Sequence, residues 1–408
     1  MKRIFLPLFA TVSMFVACSN GATGPDEPTP VRQLTAGEQQ VVASTSAFGW
    51  RLFNAFTLAE PDENVILSPL SVTMALGMAL NGAELETWSQ MREALSLDPA
   101  DQVAINAGYR GLIDVLSTMD PRVTMTIANS VWTRENFPVL PGFIDTLRLF
   151  FDAHAQSLDF SSPDASSTIN AWVKNNTGGR IPEIVPSPIP EDVIMYLINA
   201  VYFKGIWQHR FDPALTSDAE FTDIHGMKKT VAMMSRRARM RFMNDVNLSA
   251  ADIPYGWDRF RMMLIVPRDL QTLRFLESNL SDEYIRDNFI SRMQTTDMEL
   301  QIPRFTIESE YSLNEALKSL GMPRAFDPYK AEFTRINPDG GLYITNVKHK
   351  TFIRVDEEGS EAAAATSVEV GVVSMPPTLR ADRPFLFVLY EANTGAMLFV
   401  GRVATIGD

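Results

Sequence analysis

The sequence predicts a single α+β domain running from about residue 36 to residue 408, and three observations carry that reading. Helical periodicity dominates the first half of the chain. Runs of β-branched and aromatic residues crowd the second half, and no internal repeat or second linker separates the two. With 408 residues, 46% of them hydrophobic, the chain can bury a sizeable core.

The elements follow in order. Lys2 and Arg3 precede an apolar run from Ile4 to Ala17 that is too short to span a bilayer, so residues 1–17 read as an export signal. The ending Phe15-Val16-Ala17-Cys18 resembles a bacterial lipoprotein box, with Phe15 in place of the usual Leu, and implies lipidation of Cys18 after cleavage. The alternative is an ordinary secretory peptide that leaves Cys18 as a lone thiol. Either address is outside the cytoplasm: a lipid-anchored periplasmic or cell-surface protein, or an extracellular one. Residues 18–35, rich in Gly, Pro, Thr and acid, read as a disordered tether. Val41, Val42, Phe48, Leu52, Phe53 and Phe56 then recur at helical spacing and open the domain. Ser68-Pro69-Leu70-Ser71 starts a second helical stretch to Leu80, and residues 84–95 form a third. Strands are predicted over 123–132, 194–203, 261–266 and 298–307. The segments 385–390 and 397–403 flank Asn393-Thr394-Gly395 as a closing hairpin.

Composition and motif exclude several functions. A formal charge of −13 argues against a general nucleic-acid binder, which needs a basic face, and removal of Lys2 and Arg3 makes the mature chain more acidic still. Cys18 is the only cysteine, so the domain has no disulfide and no catalytic thiol. The chain has no G-x-S-x-G, H-E-x-x-H, G-x-x-x-x-G-K or G-x-G-x-x-G signature. His154, His209, His225 and His349 lack metal-ligand spacing, so neither a metal nor a cofactor is expected, and no catalytic residue is assigned.

No aromatic residue lies between Phe352 and Phe385, and the stretch contains Ser360, Glu361, Ala362, Ala363, Ala364, Ala365, Thr366, Ser367, Val368, Glu369 and Val370. A flexible surface loop or a short alanine helix would account for it. Parity points to a segment that can also become a strand. The even-numbered Ser360, Ala362, Ala364, Thr366, Val368 and Val370 would share one charge-free face, with Glu361 and Glu369 on the other. Burying an unpaired carboxylate costs several kcal/mol, so insertion into a packed sheet requires such a face.

The run from Glu357 through Gly359 and Ser360 to Thr366 resembles the hinge of serpins, a family of serine protease inhibitors. Asn81-Gly82-Ala83, Asn129-Ser130-Val131-Trp132, Asn175-Asn176-Thr177-Gly178-Gly179-Arg180-Ile181, Asn199-Ala200-Val201-Tyr202-Phe203-Lys204-Gly205-Ile206-Trp207, Ile302-Pro303-Arg304-Phe305 and Arg383-Pro384-Phe385 resemble serpin motifs in family order. The resemblance covers about residues 38 to 406. It implies a large mixed or antiparallel central sheet plus smaller sheets, about eight or nine helices around them, and an exposed reactive loop near the C terminus. Two departures are small: Ser360 replaces a common Thr, and Glu358 replaces a common basic residue and should stay at the exposed top of the loop.

The resemblance also implies a mechanism and its residues. Counting on from Glu357 by the usual loop length puts the scissile bond between Val373 and Ser374, or one residue earlier. A β-branched aliphatic residue there suits an elastase-like protease, held as a covalent complex after the cut loop inserts. The protein is expected to be a monomer able to form loop-sheet polymers. A non-inhibitory serpin acting as a binding or chaperone module is the alternative. Ser68, Pro69, Ser71, Asn199 and His349 match the family's shutter beneath the central sheet, with helix capping and core satisfaction as the plainer account. Trp207 matches the breach, where insertion begins, against a plain aromatic core residue. The cluster Arg236-Arg237-Ala238-Arg239-Met240-Arg241 reads as the solvated face of a strand rather than a polyanion site.

Overall fold

A computed structural model of the chain describes residues 32–359 and 376–407. The export segment, Cys18, most of the tether, and Ser360 to Thr366 with Val373 and Ser374 lie outside the described residues.

The domain begins where a capping box closes the first helix. Glu38 N–H donates to Thr35 Oγ1 at 3.3 Å, Thr35 N–H donates back to the Glu38 carboxylate at 2.7 Å, and Arg32 pairs with that carboxylate. Helix α1 (Ala36–Ala59) leads to strand β1 (Val65–Leu67) and then α2 (Pro69–Leu80), which has Ser68 as N-cap and Pro69 in its first turn. The other helices among the described residues are α3 (Leu85–Ala94), α4 (Gln102–Thr118), α5 (Pro141–Phe151), α6 (Ala165–Asn176), α7 (Leu270–Asn279), α8 (Asp282–Ile285) and α9 (Asn314–Ser319).

Strands β2 (Val123–Arg134), β3 (His154–Leu158) and β4 (Met195–Gly205) form a three-stranded sheet in the order β3-β2-β4. Strands β5 (Ser217–Thr222), β6 (Lys228–Asn244), β7 (Leu248–Tyr255), β8 (Phe260–Pro267) and β9 (Gln294–Pro303) belong to a nine-stranded sheet. They are joined there by β12 (Thr378–Arg380), β13 (Phe385–Glu391) and β14 (Met397–Val403). Its order is β1-β14-β13-β8-β7-β6-β9-β12, with β5 on β6. Strands β10 (Phe305–Ser312) and β11 (Lys348–Val355) form a separate antiparallel pair. The large mixed sheet, the smaller sheets and the surrounding helices agree with the expected architecture.

One expected strand divides. The run 298–307 divides at Arg304: its N–H still reaches Ala232 O on β6 at 2.8 Å, but from Phe305 the chain pairs with β11 instead. β9 therefore stays in the large sheet while β10 crosses to β11. The closing hairpin forms as expected: Gly395 takes φ +77°, and the buried Glu391 carboxylate accepts from the Asn393 and Thr394 N–H groups.

The main core lies between the large sheet and helices α1 and α2, with β4 on the far side of α2. A second, smaller core of Trp132, Ile169, Val173, Ile181, Val185 and Ile198 holds α6 against the outer face of the three-stranded sheet.

Candidate functional site

Strands β4 and β11 pair only with their outer neighbours, β4 with β2 and β11 with β10. Among the described residues no ladder joins β4 to β11, and the two chains meet only above them, in a bridge between Ile206 and Gly359. The result is an unpaired slot between β4 and β11, whose facing residues line common cavities. Its lower part opens into a cavity of about 390 Å³ lined by Ser68, Ser71, Asn199, His349 and the apolar side chains of α2, α6 and β4.

A chain of neutral hydrogen bonds crosses beneath the lower part. From β11, His349 Nε2 accepts the Ser68 N–H at 3.0 Å; Ser68 Oγ accepts the Ser71 N–H at 3.3 Å; Ser71 Oγ donates to Asn199 O on β4 at 3.4 Å. Asn199 Nδ2 donates to Asn129 Oδ1 at 2.8 Å, and Asn129 Nδ2 to Phe151 O at 2.7 Å. Pro69, buried, sets the first turn of α2 that carries the two serines. His349 must be neutral with its proton on Nδ1 to accept from Ser68, and burial pushes its pKa down to about 4. The structure thus brings together all five residues the resemblance grouped. Asn129 belongs with them and was not singled out, although its register partner on β4 is Asn199.

The upper end is built from rings and charges. Trp207 is buried and stacks on Tyr255 at 4.1 Å and 17°. Its indole N–H donates to Asp356 O at 3.0 Å and its backbone N–H to Glu358 O at 2.9 Å. Gly359 sits at φ +129°, and a Cβ there would come within 2.2 Å of Gly205 O, so only glycine fits. Asp356 and Gly359 exchange backbone hydrogen bonds of 3.2 and 3.3 Å, turning the chain back over the top of the slot. Glu357 is buried; it accepts from Thr216 Oγ1 at 2.7 Å and from Arg304 Nε at 3.2 Å. Burial pushes its carboxyl pKa up, but the Arg304 and Thr216 hydrogen bonds outweigh that and hold it below the ordinary value. Arg304 and Thr216 lie 53 and 141 residues from Glu357, so no local pattern announces them.

Two expectations are corrected. Glu358 is half-buried rather than exposed, with one carboxylate oxygen out of solvent and without a hydrogen bond among the described residues. The arginine cluster is not uniformly solvated. Arg237 and Arg239 are exposed and Arg241 is tied to Asp252, but Arg236 is buried, because its parity on β6 is that of Met234 and Met240.

The serpin family model, described as serpin (serine protease inhibitor), matches residues 43–406. The leukocyte elastase inhibitor of Bos taurus is 32% identical over 381 residues, covering 90% of this chain and 100% of that protein. The crystal structure of a thermophilic serpin, tengpin, in the native state superposes with a TM-score of 0.82 at 31% identity, over 93% of this chain and 97% of that one. Human thyroxine-binding globulin complexed with its ligand superposes with a TM-score of 0.83 at 26% identity, over 91% and 100%. With matching motifs in order and a slotted sheet beneath a glycine hinge, the chain belongs to the serpin family, described as serine protease inhibitors.

Proposed function

We propose that the protein inhibits serine proteases by a suicide-substrate mechanism, with the slot between β4 and β11 as the receiving site for its own reactive loop. The observation that carries the reading is an unpaired gap with a turn already closed above it at Asp356 and Gly359. Antiparallel pairing continued from that turn would set Ser360, Ala362, Ala364, Thr366 and Val368 opposite Val355, Ile353, Thr351, His349 and Val347. Val355, Ile353, Thr351 and His349 are buried, so the charge-free face of the loop would meet the interior. Glu361 would lie opposite the exposed Arg354, on the solvent side.

In this mechanism the protease's serine oxygen attacks the Val373 carbonyl, the peptide bond to Ser374 breaks, and the amine leaves with a proton from the protease's own histidine. The acyl ester then partitions between hydrolysis and loop insertion. Completing the sheet drives insertion from an uncut form held by a kinetic barrier. Valine at the cleaved position favours an elastase-like target, a preference that the bovine relative's name supports. The N-terminal segment favours export with Cys18 as lipid anchor. The thyroxine-binding globulin neighbour lends support to a second reading, a non-inhibitory binding module.

The test mixes the protein, begun at Ser19, with a neutrophil-type elastase. A band surviving denaturing electrophoresis, with a new amino terminus at Ser374, is expected. Clean cleavage at that bond without a covalent band would overturn inhibition and favour the binding module.

A further inference from the structure

Two charged side chains beside the Trp207–Phe211 pair carry buried polar atoms without a hydrogen-bond partner among the described residues, the whole guanidinium of Arg236 and one carboxylate oxygen of Glu358. Arg236 is buried, all three guanidinium nitrogens are unsatisfied, and its guanidinium carbon lies 4.8 Å from the Phe211 ring centroid. Burial pushes its pKa down to about 9, with Tyr255 acting weakly the other way. The hinge turn held by the same pair carries three consecutive acids. Asp356 is paired by Arg354 at 3.0 Å and Glu357 by Arg304, whereas Glu358 has a buried, unsatisfied carboxylate oxygen.

The two deficits share one frame. Phe211, under Arg236, donates its N–H to Glu357 O at 2.9 Å; Trp207, whose ring is 6.3 Å from that of Phe211, donates its N–H to Glu358 O. A buried charge without a partner raises the free energy of the state that contains it, and removing the charge or supplying a partner lowers it. The hinge turn that carries Glu358 is the part of the frame that must move if the loop enters the slot. The turn hangs on few contacts, chiefly the Trp207 and Phe211 backbone donors and the clamp on Glu357.

We propose that Arg236 and Glu358 are the two halves of an ion pair that is broken in the uncut protein and forms when the hinge turn moves, so that their pairing helps to drive loop insertion. The proposal rests on the loop-insertion reading above. It makes Arg236 a positioning residue, acting on the hinge and never touching the protease's reacting atoms. Its side chain reaches inward from β6 opposite Leu300, a strand position that packing alone would fill with an apolar residue.

The test compares the wild-type chain with Arg236→Met, Glu358→Gln, the double variant and the exchange R236E/E358R. Each is melted before and after a single proteolytic cut in the loop, and its stoichiometry of inhibition is titrated. The wild-type protein is expected to melt far higher once cut. Each single variant should narrow that gap by several degrees, with the uncut form of Arg236→Met melting higher than wild type. The double variant should narrow it no further than either single one, and the exchange should restore it. Stoichiometry should rise in the single variants and return in the exchange. A wild-type protein that gains no stability on cutting would overturn loop insertion and the pairing with it. A wild-type gain that persists undiminished in Glu358→Gln, or that falls additively in the double variant, would overturn the pairing alone.

Discussion

At the lower end of the slot the strands are linked through neutral groups, His349 to Ser68 to Ser71 to Asn199 to Asn129, over a cavity of about 390 Å³. At the upper end a Trp207–Tyr255 stack packs the space, and Glu357, Arg304 and Thr216 clamp the hinge turn. The lower end is thus closed by weak, directional bonds that a proton can break. The upper end is closed by packed rings and buried charge, which respond to the loss of volume or of a partner. A strand entering from the top would have to shift the expensive contacts first and the cheap ones afterwards, which places the barrier at the hinge.

The contrast breaks most visibly at Trp207. Trp207→Ala would remove a fully buried ring, its stack on Tyr255 and the donor to Asp356 O. The expected loss is about 3–5 kcal/mol, read as a large fall in the melting temperature of the uncut form and faster polymer formation on heating. If the uncut form melted as wild type does, the upper end would not carry the barrier.

The lower end is sharpened by acid. The neutral form of His349 is favoured in the fold, with a pKa of about 4 against 6.5 for the free side chain. In the unfolded chain the imidazole takes a proton as pH falls through 6.5, while the folded protein resists until about 4. The stability it supports is therefore complete above 6.5 and lost progressively down to about 4, a change of about 3 kcal/mol. An imidazolium also cannot accept from Ser68, so protonation would open the link between β11 and α2. Melting curves from pH 7 to 4.5 should show a steeper decline for wild type than for His349→Gln, whose side-chain oxygen can still accept. Parallel curves would remove His349 from the lower closure.

These regions were unequally legible in the sequence. The hairpin at 385–403 and the cap at Ser68 rest on local chemistry, an Asn-Thr-Gly turn and a Ser-Pro start, and both appear where residue pattern puts them. The slot is the absence of pairing between two strands some 150 residues apart, and no residue pattern encodes a missing ladder. The partners of Glu357, 53 and 141 residues away, are also too distant for a local pattern. Arg236 was misplaced for a different reason: four arginines among apolar neighbours suggest a wet strand face, yet strand parity alone groups it with Met234, Ala238 and Met240. Charge density masked a period that was present.

The smallest expected effect settles what Ser68 does. Its side chain caps α2 by accepting the Ser71 N–H, whereas the link to His349 runs through its backbone N–H. Ser68→Ala would remove the cap and leave the strand link in place. A cap lost from a helix present in both cut and uncut forms should cost about 1 kcal/mol in each, lowering both melting temperatures together and leaving the stoichiometry of inhibition unchanged. If the side chain instead governed sheet opening, the uncut form would fall alone and inhibition would weaken with it. The first outcome would assign the lower closure to the backbone of α2's first turn and to His349. It would also explain how a serine with an ordinary capping role can sit in the middle of the chain that joins β11 to β4.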